Sequence, residues 1–461
     1  MSKDKIVIVG FGFSGLTILA NFIEKAKHPL EITIFDKQSI NGCGIAYGGD
    51  SKVHPLNVQA DNMGIFESAP QDFYDWIHDN KALWESLYPD LKISKENYLP
   101  RKLYGLYLKN KLNTLLKKAK EKKHHIQFIL EEVIEVTHEG NTLFVKSKEG
   151  KKSEADFLII ATSTPPTKNF SFETKELLES KNYIRNIWNP SLESQVEEGK
   201  PNHHTIIYGS GLTAVDALLS LKEANYKGKI SVVSLTGLFP EVHSKINLSP
   251  IEIAPFNPSK DLLFLLKEYK TKWNFLKTKR ADWRQLIDSL RPYTSYLWHG
   301  LNYDSKIQFL KRLLPLWNRH RHRMSYSSFE VISKLKPQIK KGRVSNVIKL
   351  SDQKFEVVIE SPEKREAFLA DVVINCSGPE YRLNERRDSL LSSLFEQKMI
   401  TPDSLNMGIK IENLETLNSD KSGKIFALGS LLFGEKFETT SVPEIRSQAA
   451  TIVKTILNDF Q

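Results

Sequence analysis

The chain has 461 residues, 40% of them hydrophobic and 26% charged, an ordinary globular composition with room for about two to four domains. Its net charge of +10 is spread along the sequence. The densest basic run, Lys117 to Lys123, closes an expected helix (Tyr104 to Lys123), where cations suit the negative end of the dipole, and no nucleic-acid module accompanies it. Nucleic-acid binding is therefore not expected, and two cysteines, Cys43 and Cys376, exclude a disulfide framework.

In chain order, the apolar run Ile6 to Val9 leads into Gly10-Phe11-Gly12-Phe13-Ser14-Gly15, a glycine fingerprint at an expected strand-to-helix junction. The first glycine of such a string permits a tight turn and the second lets a pyrophosphate approach the backbone. The third position must be small so that helix packs on strand. Phosphates then meet unpaired N–H groups at the helix N-terminus. The stretch Ile6 to Ile23 carries no charge, but its glycines, Ser14 and Asn21 interrupt it and no signal-cleavage pattern follows. The expectation is a cytoplasmic protein with no membrane-spanning segment. A strand over Glu31 to Phe35 ends at Asp36, where a carboxylate suits a ribose diol. Cys43 follows without a second cysteine in reach, which argues against dithiol chemistry and for a small residue packed near a cofactor. Hairpin-like strands over Ile126 to Val145 and a buried strand over Phe157 to Thr162 come next.

The plan then repeats. Thr205 to Tyr208 leads into Gly209-Ser210-Gly211-Leu212-Thr213-Ala214, and a strand over Lys229 to Ser234 follows. Here Ser234-Leu235-Thr236 occupies the position that selects between cofactors: neither an acid for the NAD diol nor an arginine for the NADP 2′-phosphate is present, so NADH and NADPH both stay open. Helices over Asp261 to Leu276, Trp283 to Leu290 and Asp304 to Leu314 make an inserted region, as a cap or part of a substrate pocket. Strands follow near Val344 to Ile359, and the strings Ala155 to Ser163 and Ala370 to Gly378 read as one device used twice. A last strand over Lys424 to Leu428 ends at Gly429-Ser430. The final helix begins near Pro443 and Glu444, with Gln448, Ile452, Val453 and Ile456 at helical spacing. The fold class expected is α/β with two Rossmann-like dinucleotide-binding domains and a helical insertion. Residues 1–170 would form the first part of one dinucleotide-binding domain and 200–365 a second such domain with its insertion at about 250–335; 366–461 would complete the first domain.

Longer strings point to one family. They include Gly42-Cys43-Gly44-Ile45-Ala46-Tyr47, Leu56 to Met63, Pro100 to Tyr107, Gly237-Leu238-Phe239-Pro240 with His243, Trp317 to Arg323, and Glu438 to Ala449. On these the chain resembles a bacterial family of FAD/NAD(P)-binding proteins related to FAD-dependent urate hydroxylase and to the aspartate N-monooxygenase that forms nitrosuccinate. More distantly it resembles ornithine and lysine N-hydroxylases. The resemblance implies a flavin monooxygenase/reductase-like fold, FAD in the first cradle, and NADPH or NADH in the second. The implied activity is NAD(P)H-dependent hydroxylation of a small polar nitrogen-containing substrate by oxygen activated at the flavin. It also implies that Gly44, Tyr47 and Asn57 lie near the FAD, with the helix start at Pro443 aimed at its ring system. Two positions depart from the common flavoprotein pattern: Ser430 stands where an aspartate is usual, and Ser163 where a glycine is.

Flavin chemistry asks for no protein nucleophile, and no Ser/His/Asp or Cys/His set is evident. Asn57 and Gln59 are polar groups suited to a flavin edge or, equally, to their own loop amides. In His320-Arg321-His322-Arg323 a metal site is not expected, because side chains two apart on a helix diverge and no carboxylate or thiolate accompanies them. Arg323 and Arg101 suit an anion, or a solvated or domain-contact role; His320 shares the cluster. Trp283, Trp298 and Trp317 are expected in the core. Two other functions stay open: a dehydrogenase or reductase without oxygen insertion, and a non-catalytic flavin-binding redox sensor or interaction protein. The expected partners are a small-molecule substrate and a nicotinamide nucleotide; oligomeric state is not legible.

Overall fold

The structure is a computed structural model that describes residues 4–140, 142–162, 164–188, 190–196, 201–246, 248, 251–351, 354–386, 388–416 and 424–459. Ser163 lies outside the described residues. The elements that position the cradles are, in chain order, β1 (Lys5–Val9), α1 (Phe13–Lys25), β2 (Glu31–Phe35), α2 (Arg101–Glu121), β3 (His125–Ile129), β4 (Phe157–Ile160), β5 (His204–Tyr208), α3 (Leu212–Glu223), β6 (Lys229–Ser234), α4 (Leu314–Arg321), β7 (Gln338–Lys341), β8 (Val372–Asn375), β9 (Lys424–Ala427) and α5 (Val442–Asp459).

Contacts divide the chain into two units. Met1–Gly48, Val58–Pro165 and Tyr381–Gln461 form the first, and Gly49–Asn57 with Pro166–Glu380 the second. In the first unit a seven-stranded sheet runs Ile411–Glu412, Glu415–Thr416, β9, β4, β1, β2, β3. From β9 to β3 every pairing is parallel. Ile6, Val7, Ile8 and Val9 are all buried, as continuous apolar strands are when both faces of a parallel sheet are covered. α1 and α5 pack against each other. In the second unit a five-stranded parallel sheet runs β7, β6, β5, β8 and Tyr183–Ile184. Separate apolar clusters line it, one around Ile207, Leu218, Val232 and Ile374, the other around Ile206, Val233, Phe355 and Val373.

The repeat read from the sequence is one of topology. Each fingerprint strand is flanked by its selector strand (β2, β6) and its return strand (β4, β8), and each return strand follows a three-stranded antiparallel sheet. Even the entry to the return strand repeats. Asp156 and Lys5 exchange hydrogen bonds, Lys5 N–H donating to Asp156 Oδ2 at 2.8 Å, and Asp371 does the same with His204 at 2.9 Å.

Three expectations need correction. The crossing expected at 366 falls between Glu380 and Tyr381, because β8 pairs with β5 and so belongs to the second sheet. Of the hairpin expected over Ile126 to Val145, the first strand is instead the parallel edge strand β3. The antiparallel pair is Val133–Glu139 with Thr142–Ser147, and Thr142–Ser147 alternates in burial as the parallel edge strand β3 does, so alternation does not separate them. The helix expected over Asp304 to Leu314 ends at Gln308, passes through a π-turn over Phe309–Leu313 and resumes as α4. Pro315, lacking an N–H, cannot continue the ladder there.

Candidate dinucleotide-binding sites

At the first cradle, Gly10 N–H donates to Phe35 O at 2.8 Å and the residue takes φ +99°. A Cβ on it would lie 2.5 Å from Ala161 O, so the turn between β1 and β4 admits glycine alone. A Cβ on Gly15 would lie 2.2 Å from Gly10 O, which is how closely α1 sits on its own turn. Gly12 and Gly44 meet backbone to backbone, with a Gly44 Cβ falling 2.9 Å from Gly12 Cα. The first helical bond of α1 is Leu16 N–H to Gly12 O at 3.0 Å, which leaves the N–H groups of Phe13, Ser14 and Gly15 ahead of the ladder. No acid occupies that first turn. A diphosphate fits this bare, positively ended backbone.

Asp36 shapes the same turn. Its Oδ2 accepts Phe11 N–H at 2.7 Å, and its Oδ1 accepts Gln38 and Ser39 N–H at 2.8 and 3.0 Å. A carboxylate offers about four acceptor directions, so one remains for a ribose hydroxyl. The C-terminal segment reaches this place too: a Cβ on Gly429 would lie 3.7 Å from Ser14 Oγ. Gly429 N–H donates to Gln448 Oε1 at 2.8 Å, while Gln448 Nε2 donates to Thr439 Oγ1 at 2.6 Å. Ser430 is buried beside it, and Pro443 lies in the first turn of α5. From α5, Arg446 Nη2 donates to Asn62 Oδ1 at 2.6 Å and Nη1 to the Asn62 and Gly64 carbonyls at 3.2 Å, fixing the loop after Gln59. Gln448 and Arg446 were legible only as core-facing and charged helix positions; their partners are too distant in sequence to show.

Around the cradle, the Tyr47 ring lies 4.7 Å from that of Tyr104, and burial pushes its phenol up to about 12 against the pull of Arg101, the first residue of α2. Cys43 is buried with Sγ 3.4 Å from Gly105 O, and burial pushes its thiol up to about 11. It is therefore a protonated packing residue at neutral pH.

The second cradle is built alike. Gly209 N–H donates to Val233 O at 2.8 Å, φ is +105°, and a Cβ would lie 2.0 Å from Cys376 O. A Cβ on Gly211 meets nothing within 4 Å, so the approach to the start of α3 is open. Leu212 and Thr213 form the acid-free first turn, and Ala214 is the buried small residue of the third position. Where the first unit has Asp36, this one has Ser234. Ser210 Oγ lies 2.9 Å from Ser234 Oγ and donates to Leu238 O at 2.7 Å. Asn57 ends the Gly49–Asn57 segment, is exposed, and belongs to the second unit, whereas Gln59 belongs to the first. That segment is held within its unit by Ser51 and Ser220, whose hydroxyls both donate to Glu193 Oε1, and by His54 Nε2, 2.8 Å from Ser220 Oγ.

The basic cluster also lies in the second unit. Arg319 pairs with Glu241, Arg284 with Asp282, and Arg323 through Nη2 with Asp288. Arg323 is 5% exposed, and its Nε and Nη1 have no hydrogen-bond partner among the described residues. The Arg284 and Arg323 guanidiniums lie 4.7 and 5.9 Å from the Trp283 ring centroid. His320 packs edge-on to Trp283 and bonds Leu316 O through Nδ1 at 2.7 Å, while His322 follows the end of α4. His243 is held neutral, its ring pushed down to about 3 by burial and by the charges of Arg323, Arg321 and Arg284. Among the described residues no group of three His, Cys, Asp or Glu is arranged to hold a metal ion. Trp298 is buried, and Trp317 packs partly buried on the helical insertion's core.

Residues 7–165 match the FAD-NAD(P)-binding family. That match runs from Val7 in β1 through β4 and so takes in the glycine turn and Asp36, while Gly429, Ser430 and Pro443 lie outside it. The fold is that of FAD/NAD(P)-binding flavin monooxygenases. An ornithine N-hydroxylase of Kutzneria sp. 744, solved with reduced FAD, NADP+ and L-ornithine, superposes with a TM-score of 0.67 at 12% identity, covering 100% of each chain. A cadaverine monooxygenase of Erwinia amylovora bound to FAD gives 0.58 at 13% identity, over 99% of this chain and 95% of that one. Among curated proteins, an uncharacterized protein of Mycobacterium tuberculosis is 22% identical over 261 residues. The chain spans between 31% and 47% of the length of the curated relatives it matches. Among the described residues no helix is long and apolar enough to cross a membrane.

Proposed function

We propose that this chain is an FAD-dependent, NAD(P)H-reduced monooxygenase of the cytoplasm that hydroxylates the nitrogen of a small polar amine. The observation that carries the reading is the duplicated cradle: Gly10 and Gly209 make the same turn against equivalent return strands, each opening a helix with an acid-free first turn. One cradle would serve for a nucleotide-binding protein; two suit an enzyme that passes a hydride between two dinucleotides. In this reading Gly10, Gly12, Ser14, Gly15, Asp36, Gly44, Tyr47, Gly429, Ser430 and Pro443 surround FAD, while Gly209, Gly211, Leu212 and Thr213 hold the nicotinamide nucleotide.

FAD, when bound, would supply two-electron redox chemistry between NAD(P)H and dioxygen. The balanced reaction consumes amine, O2, NAD(P)H and a proton, and yields hydroxylamine, water and NAD(P)+. The protein orients the cofactors and keeps water away. Gln59 of the first unit is an amide assigned to flavin contacts, and Asn57 of the second unit is a separate polar candidate. Arg323, with donors unused among the described residues, is assigned to an oxyanion of the substrate, with His320 beside it in the second unit; Arg101, in the first unit, is a separate polar candidate. The N-hydroxylases of similar fold make ornithine and cadaverine the first amines to try, and the resemblance to aspartate N-monooxygenase adds aspartate.

The test is product formation. Aerobic turnover with NADPH or NADH should give a hydroxylated nitrogen with stoichiometric uptake of O2 for at least one of these compounds. Undiminished turnover under anaerobic conditions with an artificial electron acceptor, and no hydroxylated product in air, would replace the monooxygenase by a reductase. A flavin that neither nucleotide reduces would point to a redox sensor or interaction protein.

A further inference from the structure

The two units differ at the place where a dinucleotide's adenosine ribose is read. The register makes the comparison residue by residue. Gly10 N–H bonds Phe35 O and Gly209 N–H bonds Val233 O, so Asp36 corresponds to Ser234. On the neighbouring edge strand Phe35 aligns with Ile129 and Val233 with Lys340, so Leu130 corresponds to Lys341. The pair Asp36 and Leu130 has thus become Ser234 and Lys341. A carboxylate that favours a ribose diol is replaced by a hydroxyl, and an apolar neighbour by an ammonium group.

Lys341 is well set for that role. It is the last residue of β7 and pairs in parallel register with Ser234, so both side chains leave the same face of the sheet at its carboxyl edge, where nucleotides bind. Ser234 Oγ lies 2.9 Å from Ser210 Oγ of the glycine loop, which identifies that face as the cradle's. The selector turn rests on the lysine stem: a Cβ on Gly237 would lie 3.4 Å from Lys341 Cβ. Lys340 leaves the opposite face, its Nζ 4.1 Å from the Phe368 ring, and Arg343 is paired with Glu360. No acidic residue occurs from Ser234 to Pro240.

On the reading that the second cradle takes a nicotinamide dinucleotide, we infer that it is built for the 2′-phosphorylated form, with Lys341 as the cation on the 2′-phosphate and Ser234 and Ser210 as hydroxyl partners. Specificity here comes from the strand beside the selector strand, so a selector turn with neither acid nor arginine still discriminates.

The test uses the FAD-loaded chain and two nicotinamide-free probes, adenosine bearing phosphates at its 2′ and 5′ positions and adenosine 5′-monophosphate, titrated calorimetrically. The bisphosphate should bind about tenfold tighter or more, as a charge-assisted contact requires, and Gly211→Val should abolish binding of both. Lys341→Ala should erase the preference while leaving the monophosphate affinity unchanged, and Lys341→Arg should restore it. Equal binding of the two probes, or a preference that survives Lys341→Ala, overturns the assignment while leaving the second cradle a nucleotide site. Failure of both probes to bind overturns the cradle reading as well.

Discussion

At Gly211 a side chain would point into open space, while at Gly209 it would run into the Cys376 carbonyl 2.0 Å away. The two glycines of one fingerprint therefore answer to different constraints: the fold requires Gly209, and on the proposed reading a ligand requires Gly211. Gly211→Val should leave the melting temperature and FAD content near wild type yet abolish flavin reduction by nicotinamide nucleotides. Gly209→Ala should lower the melting temperature instead, since it combines a clash with a left-handed backbone. Flavin content, thermal melts and anaerobic bleaching on both variants check this; a Gly211→Val protein still reduced at the wild-type rate would contradict it. His243 gives a pH signature at the same scale. Its ring is held down to about 3 by burial first and then by Arg323, Arg321 and Arg284, against 6.5 ordinarily. Below 6.5 the unfolded chain gains a proton that the folded chain does not, so this group's contribution is constant above that value and stability falls as pH drops toward 3. Denaturant melts at pH 7 and pH 4.5 should show a smaller loss for His243→Gln than for wild type; equal losses would remove His243 from the cause. Cys43, with its thiol pushed up to about 11, should react with thiol reagents only on unfolding, which a labelling time course reads directly.

At the scale of elements, the strand–turn–helix unit carries the account, and Asp36 shows how its parts depend on one another. The carboxylate at the end of β2 holds Phe11 N–H in the glycine turn as well as Gln38 and Ser39 N–H, so it shapes the cradle before any ribose arrives. Asp36→Ala should therefore weaken FAD retention and cost about 1–3 kcal/mol of stability, with the partly exposed site keeping the figure modest. FAD content after gel filtration and a denaturant melt measure the two effects; full flavin retention would mean the turn holds without it. These units were legible in the sequence because the glycine spacing and the apolar runs before it are local signals. What escaped was set by tertiary context. β3 alternates as a hairpin strand does, and only its partner distinguishes the two. The helix through Phe309 is broken by a proline whose effect is a widened turn rather than an end. Gln448 and Arg446 read as helix positions, yet they tie Gly429 and the Asn62 loop into the first unit from far along the chain.

At the scale of the whole molecule, a single plan occurs twice: fingerprint strand, selector strand, edge strand, then an antiparallel excursion and a return strand entered through an aspartate. The duplication was visible in the sequence as paired strings, because each turn demands glycine and each return strand a continuous apolar run. The exact crossing was not, because the second return strand, β8, looks like the first and only its pairing with β5 assigns it to the second sheet. Nor did the sequence show that Gly49–Asn57 leaves the first unit for the second, since Ser51, His54, Glu193 and Ser220 meet only in the fold. The proposed division of labour, flavin in one cradle and nicotinamide nucleotide in the other, is open to one direct measurement. The purified chain, loaded with FAD and kept without oxygen, is mixed with NADPH or NADH while the oxidised flavin absorbance is followed. The account predicts stoichiometric FAD and its complete bleaching, faster or at lower concentration with NADPH; a chain that retains no FAD, or whose bound FAD stays oxidised with both nucleotides, would contradict it.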